Sequence, residues 1–344
     1  MTTLTELPIP AHFAAQHVGE VWRVPYQERA EAAVAWARQH SIPPAANDAR
    51  RICLLAIDVQ NTFCIPDYEL FVGGQSGMGA VEDNVRLCEF IYRNLGELTK
   101  IVVTMDTHAT MQIFHPVFWV NAAGEHPPAM TMISADDVES GLWQANPAIA
   151  PYITQGNVDH LQAYALHYVR RLSHNSKYLL TIWPYHSMLG GIGHALVPAV
   201  EEACFFHSMA RQVPTRFEMK GDNPLSENYS VLRPEVMEDQ NQKPIGKKNQ
   251  SLLQALLDFD AVIVAGQAKS HCVAWTVSDL LDDIQAIDST LAQKVYLLED
   301  CTSPVVVPGV VDFTEQSNKT YQRFAEAGMH RVKSTDAVVS WLNL

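Results

Sequence analysis

Positive charge is scarce in this chain. Its 24 Lys and Arg stand against 38 Asp and Glu, a formal net charge of −14 over 344 residues. That shortage argues against nucleic acid or an anionic membrane as partner, since either needs a basic face. The one basic knot, Lys243, Lys247 and Lys248, reads as a solvated loop. No stretch reaches the roughly 20 apolar residues of a membrane span. The first twenty residues lack the basic start and apolar centre of a secretory signal, so a cytoplasmic protein is expected. The six cysteines include no C-x-x-C pair, and a chain this long needs no disulfide framework. Reduced thiols, most of them core residues, are the expectation. Charged residues are few as well, 18% against 47% hydrophobic, which leaves ample apolar surface for a core and excludes disorder as the default.

What is present is a rhythm of strand and helix. Short apolar runs that end abruptly in polar residues occur at 51–58 (RICLLAID), 100–106 (KIVVTMD), 214–220 (PTRFEMK), 261–266 (AVIVAG) and 294–300 (KVYLLED). Between and after them lie helical patterns at about 80–98, 195–211, 251–259, 270–284 and 312–328. Near-continuous apolar strands alternating with amphipathic helices predict an α/β fold, a doubly wound, mostly parallel sheet with helices on both faces. Ligands of such sheets bind at the carboxyl ends of the strands, near the switch point.

Two segments stand outside the rhythm. Residues 1–50 form an N-terminal extension with a helix at about 27–40, and residues 51–344 form the main domain. Residues from about 120 to 177 interrupt that domain with four prolines and a helix near 159–173, an insertion of the size of a lid or an interface. Phe13, Val21 and Trp22 of the extension are apolar enough to pack on their own core or on a second subunit, and a homo-oligomer is expected.

The strand ends carry the chemistry. After the first come Asp58, Gln60, Asn61 and Phe63. After the second come Asp106 and His108, which as i and i+2 of an extended segment point the same way and can share one ion; His115 follows, and much later Trp183-Pro184-Tyr185-His186. Imidazole and carboxylate suit zinc, iron or manganese. The third strand ends at Lys220-Gly221. The fourth runs through Gly266, Gln267 and Ala268 to Cys272, in the first turn of a helix, where backbone amides favour a thiolate and can hold an oxyanion. Taken singly, each of these has an ordinary reading: a capping Asp, turn histidines, an exposed Lys, a core Cys. Gly73-Gly74 with Gly77 and Gly79 lacks the spacing of a dinucleotide loop, and Gly246-Lys247-Lys248 lacks the remainder of a phosphate loop.

As an ordered set the motifs are specific. Asp58-x-Gln60-Asn61-x-Phe63, Asp106-x-His108 with His115, Trp183-Pro184-x-His186, Lys220-Gly221 and Gly266-x-Ala268-x-x-x-Cys272-Val273 resemble the nicotinamidase branch of the isochorismatase-like cysteine hydrolases. The resemblance spans most of residues 51–333 apart from the insertion. It implies a six-stranded sheet and an Asp58–Lys220–Cys272 triad. It implies an oxyanion hole from the amides of Ala268 and Cys272, with a cis peptide at Gln267–Ala268. It also implies a divalent metal on Asp106, His108, His115 and His186, zinc first, with iron or manganese accepted by the same donors, and no organic cofactor. Phe63, Trp183 and Gln267 become substrate-binding residues, and the implied reaction is hydrolysis of the small molecule nicotinamide to nicotinate and ammonia. A related amidase acting on a non-pyridine amide or ureide is the alternative. The chain departs from the family pattern at Ser187-Met188, at Gln267, Lys269 and Ser270, in the insertion and in the extension.

Overall fold

Six strands carry the fold: β1 (Ile52–Ile57), β2 (Lys100–Asp106), β3 (Arg216–Lys220), β4 (Ala261–Gly266), β5 (Val295–Leu298) and β6 (His330–Val332). They make one sheet in the order β6-β5-β4-β1-β2-β3, and β1 with β2, β1 with β4, β4 with β5 and β5 with β6 all pair parallel. The computed structural model describes residues 6–175 and 178–341. Every residue of β1, β4 and β5 is buried. Because successive side chains point to opposite faces, this burial means that both faces of the central strands are covered, as their unbroken apolar runs predict. The helices are α1 (Tyr26–Gln39), α2 (Gly79–Arg93), α3 (Val158–Asn175), α4 (Pro198–Arg211), α5 (Gln250–Leu257), α6 (Cys272–Ile287) and α7 (Thr314–Glu326), with several short helical turns besides.

Most expected elements fall within a few residues of their predicted limits. Helix α2 stops at Arg93 rather than near 98, and the side-chain amide of the capping Asn94 turns back to Phe90 O at 2.9 Å. Helix α4 begins at Pro198, whose missing N–H is harmless in a first turn. Strand β6 has no forerunner in the sequence reading: its three residues lie at the sheet edge and are mostly exposed.

The residues divide into two compact units. The first comprises 1–105, 195–218 and 250–344. Its core joins Ile52, Leu54 and Ala56 of β1 and Ile263 and Ala265 of β4 to Leu87 and Ile91 of α2 and Val200 and Ala203 of α4. The N-terminal extension belongs to this unit. Helix α1 lies along α4, Arg29 Nε bonds Glu202 Oε1 at 2.5 Å, and Phe13 and Trp22 pack against the core. The second unit comprises 106–194 and 219–249. It holds the residues of the insertion, except 176 and 177, which lie outside the described residues, and it has its own core of Phe114, Phe118, Trp119, Leu161, Tyr164, Tyr168 and Leu180. Among the described residues, no helix is long and apolar enough to cross a membrane.

The chain steps outward from β1 to β2 and β3, then outward on the other side from β4 to β6, so the switch point lies between β1 and β4. These two strands approach closely at their carboxyl ends, where Ile57 faces Gly266. Gly266 has φ +112°, and a Cβ there would sit 2.0 Å from Ile57 O, so no other residue fits.

Candidate active site

In the first unit the switch point carries the residues expected to react. Asp58 directly follows β1 and is fully buried, with its backbone in the left-handed region at φ 48°. Thr104 clasps it: its hydroxyl accepts from Asp58 N at 3.1 Å and donates to Asp58 Oδ1 at 2.5 Å. An aspartate tolerates this conformation better than most residues, and such outliers cluster at working sites. Gln267 follows β4, and the Gln267–Ala268 peptide is cis. The Gln267 side chain is held at both ends within this unit: Nε2 donates to Asp83 Oδ2 at 2.8 Å and Oε1 accepts from Ser303 N at 3.2 Å. Burial pushes the Asp83 carboxyl up from its ordinary value, an effect opposed by Gln267, Ser303 and Arg86.

Cys272 opens α6, and the turn before it is tied down by His271 N and Val273 N, both donating to Ala268 O at 3.0 and 3.2 Å. It is partly exposed, whereas the five other cysteines are buried. Burial raises the thiols of Cys53 and Cys204 to about 12, which leaves them inert. Cys272 is thus set apart by access and by its place at a helix start. Phe63 is half-buried, packed against the same core.

In the second unit four buried side chains converge. Asp106 ends β2, and His108 lies two residues on. His108 N donates to Ser187 O at 3.0 Å and Leu189 N to His108 O at 3.0 Å, which pins His108 to the segment bearing His186. His115 is placed by Gln112, whose carbonyl accepts from His115 N at 2.8 Å and whose side chain accepts from Ala109 N at 3.1 Å. The ring nitrogens that His108, His115 and His186 offer all lie within 4.8 Å of one another.

The outer hydrogen bonds settle the tautomers. Nδ1 of His108 faces His186 O at 3.2 Å, Nδ1 of His115 faces Thr110 O at 3.1 Å, and Nδ1 of His186 faces Pro184 O at 2.7 Å. A carbonyl oxygen only accepts, so each Nδ1 carries a proton, and in the neutral imidazole Nε2 is then the atom with the lone pair. His108 Nε2 then lies 3.0 Å from Asp106 Oδ1, and His186 Nε2 3.6 Å from Asp106 Oδ2. His115 Nε2 is buried without a hydrogen-bond partner. Acceptors facing acceptors in a buried site fit a cation between them. Carbonyls that hold imidazoles in this way are the usual support of a metal site.

The charges agree with that reading. Burial pushes the His108 imidazole below its ordinary value and takes His115 down to about 3, with the neighbouring histidines adding to the effect, so both are neutral near pH 7, the form that can bind a metal. Burial works against ionisation of Asp106, but the Lys220 ammonium beside it favours the carboxylate. Lys220 Nζ donates to Asp106 Oδ1 at 3.0 Å and to Asn228 O at 2.8 Å. Gly221 completes the cradle. Its φ is +88°, and a Cβ there would stand 2.9 Å from Asp106 Oδ1 and 3.1 Å from His108 Nε2.

Trp183, half-buried three residues before His186, donates its indole N–H to Glu227 Oε1 at 3.3 Å. Sequence reasoning passed over Glu227, and also Thr104 and Gln112. Thr104 left one signal, a hydroxyl inside an otherwise apolar strand. The other two left none: the partners of Glu227 come from distant segments, and Gln112, besides its local bonds, donates through Nε2 to Gly221 O and Asn223 O, more than a hundred residues on.

The fold is a doubly wound α/β sheet, and the second unit holds a buried cluster of three histidines, two of them beside the Asp106 carboxylate. No family model matches the chain, and no curated protein sequence does. Among solved structures it resembles a nicotinamidase/pyrazinamidase from Acinetobacter baumanii, at 18% identity over 84% of this chain and 99% of that one, with a TM-score of 0.48. It also resembles a yeast nicotinamidase bound to the inhibitor nicotinaldehyde, at 17% over 82% and 99%, TM-score 0.48. A pyrazinamidase from Pyrococcus horikoshii in complex with zinc is similar at 15% over 82% and 99%, TM-score 0.43. Likeness of this degree does not assign the chain to a family.

Proposed function

We propose that the chain is a metal-assisted cysteine amidase that hydrolyses nicotinamide to nicotinate and ammonia. The observation that carries the reading is the buried cluster in the second unit, where three imidazoles, each with Nδ1 on a backbone carbonyl, bring ring nitrogens within 4.8 Å of one another beside the Asp106 carboxylate. Asp106, His108, His115 and His186 would hold a divalent ion, with zinc, iron and manganese all suited to these donors. Such an ion supplies a Lewis-acidic anchor for a pyridine nitrogen.

The chemistry belongs to the chain's own residues. Cys272 gives its proton to Asp58, and the sulfur adds to the carboxamide carbon. Lys220 is the third member of the set, favouring the charged forms of the other two. Amides of Ala268 and Cys272 receive the oxyanion, and one such donor is typically worth about 10²–10³ in rate. Asp58 returns its proton to nitrogen as ammonia leaves, which gives a thioester. Asp58 then takes a proton from water, the hydroxyl adds to the thioester carbon, and the cysteine sulfur departs with release of nicotinate. Phe63 and Trp183 flank the pyridine ring.

The test is ammonia release from nicotinamide by purified protein, before and after chelation. Release is expected to disappear on chelation and to return with zinc, iron or manganese. Absence of release from a metal-free protein would reject nicotinamide and leave another amide as substrate. A Cys272→Ala protein is expected to be folded and inactive, and ammonia release at a near-native rate would end the thioester route.

A further inference from the structure

Behind Trp183 the second unit holds a polar cluster that neither the ion nor the triad uses. Glu227 is buried, yet its carboxylate is well supplied with donors. Tyr168 Oη donates to Oε2 at 2.9 Å, Tyr229 Oη donates to Oε1 at 2.8 Å, and the indole N–H of Trp183 reaches the same Oε1 at 3.3 Å. Tyr168 Oη in turn accepts from Glu227 N at 3.0 Å, so backbone and side chain of this glutamate are held by one hydroxyl. Tyr168 itself is fully buried on α3, in the core of the insertion. The Tyr229 ring meets Tyr178 edge-on at 6.0 Å between centroids. Burying a carboxylate is costly unless it is fully hydrogen-bonded, and here three side chains from separated segments meet that need. One of them is the ring that the proposed function sets against the substrate.

We propose that Glu227 is a positioning residue for Trp183: anchored by Tyr168 of the insertion and by Tyr229, its carboxylate fixes the plane of the indole against which the substrate ring rests. The proposal deepens the reading of the chain as a pyridine amidase, and it gives the inserted helix a specific task. An indole has two side-chain torsions to set, and a hydrogen bond at Nε1 fixes the ring flip as well as its tilt. Holding a flat platform in place before the substrate arrives contributes to ground state and transition state alike, so its loss falls on KM more than on kcat.

The test compares Glu227→Gln, Trp183→Phe and the double variant with the intact metal-loaded enzyme. Glu227→Gln is expected to raise KM for nicotinamide about tenfold while kcat stays within about twofold. In the Trp183→Phe background, which has no indole N–H to hold, Glu227→Gln is expected to change KM by less than about twofold. Additive losses in the double variant would show that Glu227 supports the fold rather than the ring, and would overturn the proposal. So would an unchanged KM in the single variant. A second readout does not depend on the substrate. The Trp183 emission, taken as the difference between proteins with and without Trp183→Phe, is expected to shift and to quench more readily with acrylamide when Glu227 is Gln. If the intact enzyme leaves nicotinamide untouched, the functional reading fails, and the emission difference still decides whether Glu227 holds the indole. Should Glu227→Gln fail to fold, Tyr229→Phe removes one hydroxyl from the same carboxylate and is judged by the same two readouts.

Discussion

Gly221 offers the sharpest test of the proposed metal centre, because it can be perturbed without removing a proposed ligand. Alanine there adds one methyl group 2.9 Å from Asp106 Oδ1 and 3.1 Å from both Cδ2 and Nε2 of the His108 ring. Neither neighbour can yield cheaply. Asp106 is buried and bound by Lys220 Nζ, and His108 is pinned through Ser187 and Leu189. The backbone adds a separate cost, since φ is +88°, and the left-handed region costs a residue with a Cβ about 1–2 kcal/mol. Gly124 isolates that backbone cost: it lies in the same unit with φ +80° and nothing within 4 Å of where a Cβ would be. Gly124→Ala is therefore expected to lose about 1–2 kcal/mol of stability and to leave metal affinity unchanged. Gly221→Ala should show a similar or larger loss of stability together with metal affinity about 10–100-fold weaker, the range typical when the support of a ligand is disturbed. Competition with a chromogenic chelator measures the affinity, and urea unfolding of the metal-free proteins measures the stability. Native metal affinity in Gly221→Ala would refute the claim that Asp106 and His108 are ligands held at that distance.

Three further outcomes are expected. His108→Ala should abolish metal binding and ammonia release while leaving the circular dichroism of the sheet intact; a variant that still binds zinc stoichiometrically would remove His108 from the site. Gly266→Ala should fail to accumulate as folded protein, since the added Cβ would stand 2.0 Å from Ile57 O, and ordinary soluble yield would contradict the closeness of β1 and β4. Glu227 should make stability depend on pH: burial, and then the charge of Glu235, raise its carboxyl from 4.5 to about 7 against the opposing hydrogen bonds of Tyr229, Tyr168 and Trp183, so the folded state holds the proton more tightly than the unfolded chain. The resulting stabilisation is fully present below about pH 4.5 and is lost as pH rises through 7, at most about 3 kcal/mol across that window. Urea unfolding of Glu227→Gln and the intact protein between pH 4.5 and 8 should differ by this slope, and parallel curves would contradict it.

The parts of the molecule legible in the sequence are those where one physical constraint acts on consecutive residues. RICLLAID and AVIVAG declare buried strands because a strand covered on both faces has no polar position to spare, and both lie within a residue or so of their expected limits. Asp106-x-His108 is legible for the same local reason, since a two-residue spacing in extended backbone sets both side chains on one side. His330–Val332 has no such constraint, because an exposed strand of three residues at a sheet edge is fixed by its neighbour β5 and not by its own composition.

The support of the sites was illegible for the opposite reason. Gln267 is held by Asp83, 184 residues away, and Asp58 by Thr104, 46 residues away, so neither partnership leaves a pattern in any window of sequence. Glu227 is the extreme case. In sequence it is one of many acidic residues in a chain of net charge −14, and a surface position is the natural reading. What makes it different is that Tyr168 and Trp183 come to it from 59 and 44 residues away. Those two partners span the close of the insertion, with Tyr168 inside it and Trp183 just beyond. The insertion thus does more in the second unit than lengthen a loop: its core supplies the anchor for a carboxylate that reaches the segment Trp183-Pro184-Tyr185-His186. Through that segment the same chain continues into His186, whose Nδ1–H is set by Pro184 O. A change in the packing of α3 should therefore be felt at the indole before it is felt at the imidazoles, which are held by carbonyls of their own.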